Sequence, residues 1–488
     1  MSLEATVLIL LAGLAFATEP DMLGFGGKSM GAGGGGVAMV EDGTAAWLNP
    51  GGLSRIRRPT MAIGGLVGFD RFKDVPDLWW DTNRDGTVDE RDEPLDWSTD
   101  VENISGFQLH VGRNVGGKFG FGLMAWLPSK RLYRLSTIEP DLPTYVMYEN
   151  RPQRYVLSAG VGGELVRGVN VGFSVDSQSR AVFNLYGTLD ATVAAPEDDT
   201  ASTSALITDV NVDVHDLVLD LRYSMLPVVG VQLEAGRWVD ELDGLVLGAS
   251  YRPGQAVIVK ADLDIQANVS VTDVGDLDPF VVGSIVQGKA DLYDHYIPPR
   301  LALGLAYRTD DVFSAYVDAT WQDWRKARFQ VTQLSSIDVT APLADIDESI
   351  TDGNGYEAQL ASTWTLRTGL DLKLPEVPLD NDWEYVRVSV RGGFAYVPTP
   401  LRAQSENAAF LDSDRIQVTL GAGVEFHDPF ELVDAPVWFD LYGQVHTLGS
   451  TTLPRQSDVP RAGFPVSGSG IPIGGSLIVV GGEWGFEY

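Results

Sequence analysis

The chain has no cysteine, which excludes disulfides and thiolate chemistry and leaves the compartment open. It has little positive charge: 35 Lys and Arg stand against 67 Asp and Glu, a formal charge of −32. Binding to nucleic acid rests on neutralising phosphates with cations, so that class of partner is excluded. The five histidines (His110, His215, His295, His427 and His446) show no paired metal-ligand spacing. No G-x-S-x-G or comparable nucleophile signature occurs, so the expectation is a protein that is not an enzyme and needs no cofactor. Long apolar runs are missing too. Beyond the first residues, no window of the ~20 residues that a helical span requires is free of charges and turn formers. Any membrane crossing must be made by strands.

What is present is a mean hydropathy near zero, 44% apolar residues and 54 glycines, a composition that excludes bulk disorder. Residues 5–17, ATVLILLAGLAFA, end in an A-x-A pattern and read as a secretory signal over 1–17, too short to span a bilayer. The n-region departs from the usual pattern, with Glu4 and no Lys or Arg. A glycine-rich stretch follows. Its Gly27-Lys28-Ser29 is not a phosphate loop, because Met22 stands where the motif's first glycine belongs. Gly31, Gly33 and Gly36 fit G-x-G-x-x-G, but without the preceding strand and following helix that give this spacing meaning.

Alternation dominates the rest. In RIQVTLGAGVEF, Ile416, Val418, Leu420 and Val424 share one face, and Gln417, Thr419 and Glu425 the other. RVSVRGGFAYV and LALGLAYR repeat the pattern, one apolar face against one small or polar face. Strands of about ten residues or more, connections alternating between short turns and long polar loops, and aromatics near strand ends (Tyr251, Tyr307, Tyr396, Phe426) point to an all-β fold. The expected architecture is a transmembrane antiparallel β-barrel of the bacterial outer membrane. The strands fall at 59–70, 103–114, 118–127, 153–165, 169–190, 208–237, 244–269, 299–308, 312–323, 363–374, 384–397, 413–427, 436–448 and 476–488. That gives fourteen, with bends at Pro227 and Pro253-Gly254, or sixteen if those two strands split. An even count puts both termini on one side, expected to be periplasmic. Long loops at 71–102, 128–152, 191–207, 270–298, 324–362, 398–412 and 449–475 are expected to face outward. The chain ends Trp484-Gly485-Phe486-Glu487-Tyr488, alternating aromatics that resemble the signal read by the barrel-insertion machinery. Membrane lipid and lipopolysaccharide are the expected surroundings.

One local motif carries ligand chemistry. DTNRDGTVDERD, residues 81–92, fits the calcium-loop pattern except that its last ligand is Asp92, where Glu is usual. Asp81, Asn83 and Asp85 would supply side-chain oxygens, Thr87 its carbonyl, Asp89 a water-bridged carboxylate, and Gly86 the sharp turn. Hard oxygen donors suit Ca²⁺, so a structural Ca²⁺ stiffening the first long loop is expected. Arg387 and Arg391, four apart on one strand, share the inward face. They either meet an anionic substrate or pair with inward acids such as Glu425, Glu483 and Glu487.

The glycine stretch also carries a family resemblance. Gly24 to Gly27, Ser29, Met30, Gly31, Gly33, Gly36, Glu41-Asp42, Ala45, Ala46, Trp47, Asn49, Pro50 and Leu53 resemble the mature N-terminus of the FadL/TodX outer-membrane transporters of hydrocarbons and long-chain fatty acids. So does PRLALGLAYRTDDVFSAYVDATWQDW (299–324), with weaker blocks at 247–252, 391–400 and 412–426. The resemblance runs from about residue 20 to the C-terminus and is patchy in the long loops. Gly51 replaces the alanine usual after Asn-Pro.

The resemblance implies a fourteen-stranded barrel over 58–488 whose residues 18–57 fold back as a hatch in the lumen. Gly24, Gly26, Gly27, Gly31, Gly33 and Gly36 would let that backbone turn sharply and approach the wall, and Asn49-Pro50 would set a turn. It further implies passive passage of fatty acids or aromatic hydrocarbons by capture among the outer loops, a lumen site beside the hatch, and hatch movement or lateral exit. Trp79, Trp80, Tyr145, Met147 and Tyr148 are candidates for capture. The alternative is a non-transporting barrel, structural, adhesive, or a protein-secretion shuttle of the PorV type. A hollow apolar lumen favours transport; a lumen packed with charged pairs favours the alternative.

Overall fold

The computed structural model describes residues 20–75, 78–80, 88–90, 92–101, 103–129, 142–145, 147–148, 155–194, 206–272, 280–309, 312–327, 333–341, 344–348, 359–379, 385–403, 410–428, 435–453, 465–467 and 471–487. Fourteen strands form one ring. They are β1 (Thr60–Phe72), β2 (Ser105–Val115), β3 (Phe119–Pro128), β4 (Val156–Val166), β5 (Val169–Ala194), β6 (Leu206–Glu234), β7 (Leu245–Arg252), β8 (Arg300–Thr309), β9 (Phe313–Asp323), β10 (Ser362–Lys373), β11 (Tyr385–Val397), β12 (Arg415–His427), β13 (Pro436–Leu453) and β14 (Ile471–Glu487). Neighbours pair antiparallel all the way round. β14 closes on β1 from Thr60 opposite Glu487 to Phe72 opposite Gly475, so the ring has no free edge.

The alternation sorts side chains as the ring requires. On β12, Leu420 is 69% exposed while its inward neighbour Thr419 is 1% exposed. Leu303, Leu305 and Tyr307 of β8 point out, as do Val390 and Phe394 of β11, and Ala302, Ala306, Ser389 and Ala395 point in. An outward face this apolar is unstable in water and fits hydrocarbon. Short turns close one end: Gly116 and Gly117, both at positive φ, join β2 to β3, and Gly168 joins β4 to β5.

The ring keeps the fourteen strands favoured from the sequence, and the plan departs from that expectation beyond Pro253-Gly254 and inside the long loops. Pro227 does not split β6; it lies opposite Val175 of β5, two residues before pairing with β7 begins at Val229 opposite Tyr251. There the strand has one neighbour, and a missing N–H is tolerated. Pro253-Gly254 does end β7. Beyond it the chain resumes as Gln255–Thr272, which pairs with Phe280–Ile297 outside the ring, so much of 270–298 is strand and not loop. Pro253 has no N–H to give a neighbouring strand, and a methyl at Gly254 would crowd Pro299. Residues 324–362 likewise contain a hairpin, Gln333–Ala341 with Ala344–Glu348. In the first long loop, Leu78–Trp80 pairs with Glu93–Pro94 and with Pro465–Ser467 of the last.

Before β1, the segment from Pro20 to Ile56 forms short helical turns: α1 (Pro20–Leu23), α2 (Gly27–Gly31), α3 (Ala45–Leu48) and a 3-10 turn over Pro50–Arg55. Nearly all of it is buried. Its partners are inward side chains from strands all around the ring, so the segment lies in the lumen.

Candidate functional site in the lumen

The wall supplies the hydrogen bonds that the irregular segment cannot make for itself. Gln444 donates to the Leu23 and Met30 carbonyls at 2.9 and 3.0 Å, and Thr419 accepts from the Gly33 amide at 2.8 Å. Asp318 accepts from the Gly36 and Val37 amides at 2.6 and 3.1 Å. Ser174 and Ser250 donate to the Ala46 and Leu48 carbonyls at 2.6 and 2.8 Å. Asn49 is the hub. Fully buried, it donates to the Val37 and Val231 carbonyls at 2.8 and 2.9 Å and accepts from the Gly51 amide at 3.1 Å. Pro50 follows at the start of the 3-10 turn, where a missing N–H costs nothing.

The glycines have two uses. Gly33, at φ +96°, could carry a side chain only with strain, and a methyl there would stand 2.6 Å from the Thr368 carbonyl. Gly24, also at positive φ, passes equally close to Gly34. Gly26 and Gly36 share the positive φ, while Gly27 and Gly31 are buried in α2 against Asp440 and Gly421 of the wall. The wall answers with glycines of its own: a methyl on Gly172 or Gly230 would overlap Pro50 or Asn49.

Charge inside the ring is mostly paired. Asp21 of α1 meets Arg252 at 2.5 Å and Arg300 at 3.8 Å. Burial alone would raise the Asp21 carboxyl pKa; Arg252, Arg300 and Arg367 outweigh it and hold the group below the usual carboxylate range. Arg391 meets Asp440 at 2.5 Å and Asp371 at 3.3 Å, and Arg387 meets Glu376 at 2.6 Å and Glu425 at 3.4 Å. Glu41 of the segment ties to Arg308 of β8 and, at 3.6 Å, to Arg55, which reaches Glu234 at 3.7 Å. Both arginines singled out from the sequence are thus ion-paired.

Two other arginines are not. Arg367 of β10 and Arg415 of β12 are 7% and 4% exposed, and no carboxylate among the described residues lies in ion-pair range of either. Arg367 donates to the Asp21 carbonyl at 2.9 Å, and the Nε of both arginines has no hydrogen-bond partner. They sit in the wall of a recess at the end of the barrel with the long connections, directly over α1. The recess is partly open to solvent; Met22, Met147, Tyr148 and Trp324 give it apolar walls, and Asp21 and Asp412 line it as well. Buried cations without a carboxylate partner beside apolar walls are suited to an anionic head with a hydrophobic body.

Of the expected capture residues, Met147 and Tyr148 line this recess. Tyr145 is buried nearby, stacked on Phe72 at 4.5 Å, its hydroxyl donating to the Gly474 carbonyl at 2.9 Å. Trp79 and Trp80 belong instead to the small sheet of the long loops. Of the calcium-loop residues, Asp81, Asn83, Asp85 and Thr87 lie outside the described residues. Asp89 and Asp92 are described, and the Asp89 amide donates to the Asp92 carboxylate at 3.0 Å. Among the described residues no group of three potential ligands could hold a metal.

A closed fourteen-strand barrel with an apolar exterior and its N-terminal segment in the lumen is the class that fold and site define. Among solved structures, the chain is similar to a FadL homologue of Pseudomonas aeruginosa, at a TM-score of 0.51 and 16% identity over 97% of this chain and 98% of that one. It is also similar to the toluene transporter TodX of Pseudomonas putida, at 0.48 and 13% over 97% and 99%. No family model matches the chain, and no curated sequence does. At this identity the likeness to the FadL homologue establishes the fold alone, a closed barrel of the same architecture.

Proposed function

We propose that the protein is an outer-membrane channel for the passive passage of hydrophobic molecules bearing an anionic head, with long-chain fatty acids favoured over neutral aromatic hydrocarbons. The observation that carries this reading is the pair of buried arginines, Arg367 and Arg415, that line the recess with no carboxylate in ion-pair range among the described residues and with each Nε free of a hydrogen bond. The carboxylate would settle on the guanidinium groups and the chain among Met22, Met147, Tyr148 and Trp324, with the lumenal segment as hatch below. In this reading the recess faces outward and both termini the periplasm. Lipid and lipopolysaccharide cover the apolar exterior, and the aromatic end of β14, where Trp484 packs on Phe486 at 5.4 Å, is the part offered to the insertion machinery. The 81–92 loop is proposed to take Ca²⁺ as a brace, with no part in passage.

One observation favours a non-transporting barrel: below the recess, the lumen is filled by the segment and by charge pairs. Uptake of radiolabelled oleate and toluene by cells with and without the protein separates the two readings. The transport reading expects oleate uptake to depend on the protein and to fall at least tenfold in Arg367→Met, Arg415→Met. Equal uptake with and without the protein establishes the alternative, and toluene uptake untouched by the double substitution would shift the substrate to neutral hydrocarbons.

A further inference from the structure

β5 and β6 do not stop where the ring does. β5 pairs with β4 only as far as Gln178, and its remaining 16 residues to Ala194, ~50 Å at ~3.3 Å per residue, rise beyond the wall with β6 beside them. There they join the two hairpins noted above in one six-stranded sheet. Its order is β6, β5, Gln255–Thr272, Phe280–Ile297, Gln333–Ala341, Ala344–Glu348, with β5 and Gln255–Thr272 parallel.

Residues directly opposite one another share a face, and successive residues alternate, so the register fixes the character of each face. One row across the sheet runs Leu217, Leu185, Leu263, Gly288, Ile337, Glu348. Two residues along, on the same face, stand Val214, Gly187, Ile265, Val286, Val339, Ile346. The row between them, on the opposite face, runs Asp216, Tyr186, Asp264, Gln287, Asp338, Asp347. The sheet is therefore apolar on one face, apart from Glu348 on its edge strand, and acidic on the other. Among the described residues, the two hairpins make extensive contacts only with their sheet neighbours, so no described element covers the apolar face.

We propose that this face is the interface between two copies of the chain, packed sheet on sheet. Area supports it: with ~4.8 Å between strands and ~3.3 Å per residue, the six strands present about 1,100 Å², above the ~800 Å² per partner of stable complexes. Charge supports it as well. Face-to-face packing of two such sheets, ~10 Å apart, turns both acidic rows away from each other, whereas any other approach between chains of net charge −32 brings like charges together. The face lies beyond the ~25 Å apolar belt that lipid covers, so lipid is not its occupant.

The absence of cysteine makes the test clean. Single substitutions Leu263→Cys, Ile265→Cys and Ala267→Cys place a thiol on the apolar face, and Asp264→Cys and Gln266→Cys on the other. In purified full-length protein in detergent, light scattering should report two chains per particle. Mild oxidation should cross-link at least one apolar-face variant and neither polar-face variant, and maleimide should label the apolar face at least tenfold more slowly. Leu263→Asp, Ile265→Asp should give one chain per particle while the barrel keeps its heat-modifiable gel shift. A single-chain wild type overturns the proposal whether its apolar thiols label freely, leaving the face bare, or slowly, as they would beneath this chain's own residues.

Discussion

Asn49→Ala isolates what holds the lumenal segment. The side chain makes three buried hydrogen bonds: two to carbonyls, of Val37 within the segment and Val231 on the wall, and one from the Gly51 amide. At a net ~1 kcal/mol each, their loss destabilises docking by about 3 kcal/mol, a shift of roughly a hundredfold in the docked-to-undocked ratio. The barrel's ladders do not pass through Asn49, so the loss should be local. Limited proteolysis of the folded protein in detergent reads it. Cleavage within 20–56 should quicken by about two orders of magnitude when opening precedes cutting, with the heat-modifiable shift of the barrel unchanged. Asn49→Asp is the sharper variant. It keeps the shape and the acceptor for Gly51 but turns the donor into a carboxylate facing two carbonyls, and should loosen the segment at least as much as alanine. Proteolysis unchanged within threefold in both variants would refute the assignment of docking to these bonds.

Other outcomes follow from single contacts. Asp21 is held below the ordinary carboxylate pKa, so its contribution is intact above ~3.9 and lost as pH falls through its lower folded value; protease access to 20–56 should rise only in that acid range, and Asp21→Asn should remove the step. Gly230→Ala would push a methyl into Asn49, whereas Gly392 has open space, its nearest neighbour 3.8 Å away. The first should free the segment in the same assay and the second leave it docked. Leu420→Lys puts a charge on the exposed outer face of β12 and should cost ~2–4 kcal/mol of barrel stability in lipid if it lies near the midplane, measured by urea unfolding in vesicles; no loss would place that face outside hydrocarbon. Calorimetry should show one calcium-binding event, lost in Asp81→Ala and Asp85→Ala; equal heats in wild type and variants would end the metal assignment.

The parts of this protein legible in its sequence are those whose cause is local. Leu420 and Thr419 declare their faces by character alone, because a strand against lipid admits only apolar residues on one side. Asn49-Pro50 and the glycines around Gly33 announce an unusual backbone. What stayed hidden depends on register between strands far apart in the chain. Arg391 and Arg367 look alike as inward arginines. Yet pairing sets Arg391 beside Asp371 of β10, with Asp440 of β13 in reach, while Arg367 faces Ala395 of β11, and beyond it Gln417. Arg367 does have Asp318 opposite it on β9, but not within ion-pair range, and the Oδ2 of that carboxylate accepts from the Gly36 and Val37 amides of the segment. The acid nearest to Arg367 in register is thus held by the segment through one oxygen, and Arg367, at the floor of the recess, has no carboxylate in ion-pair range among the described residues. Register therefore decides which inward arginine is paired: Arg391 meets two carboxylates, whereas Arg367 is left to a backbone carbonyl, that of Asp21.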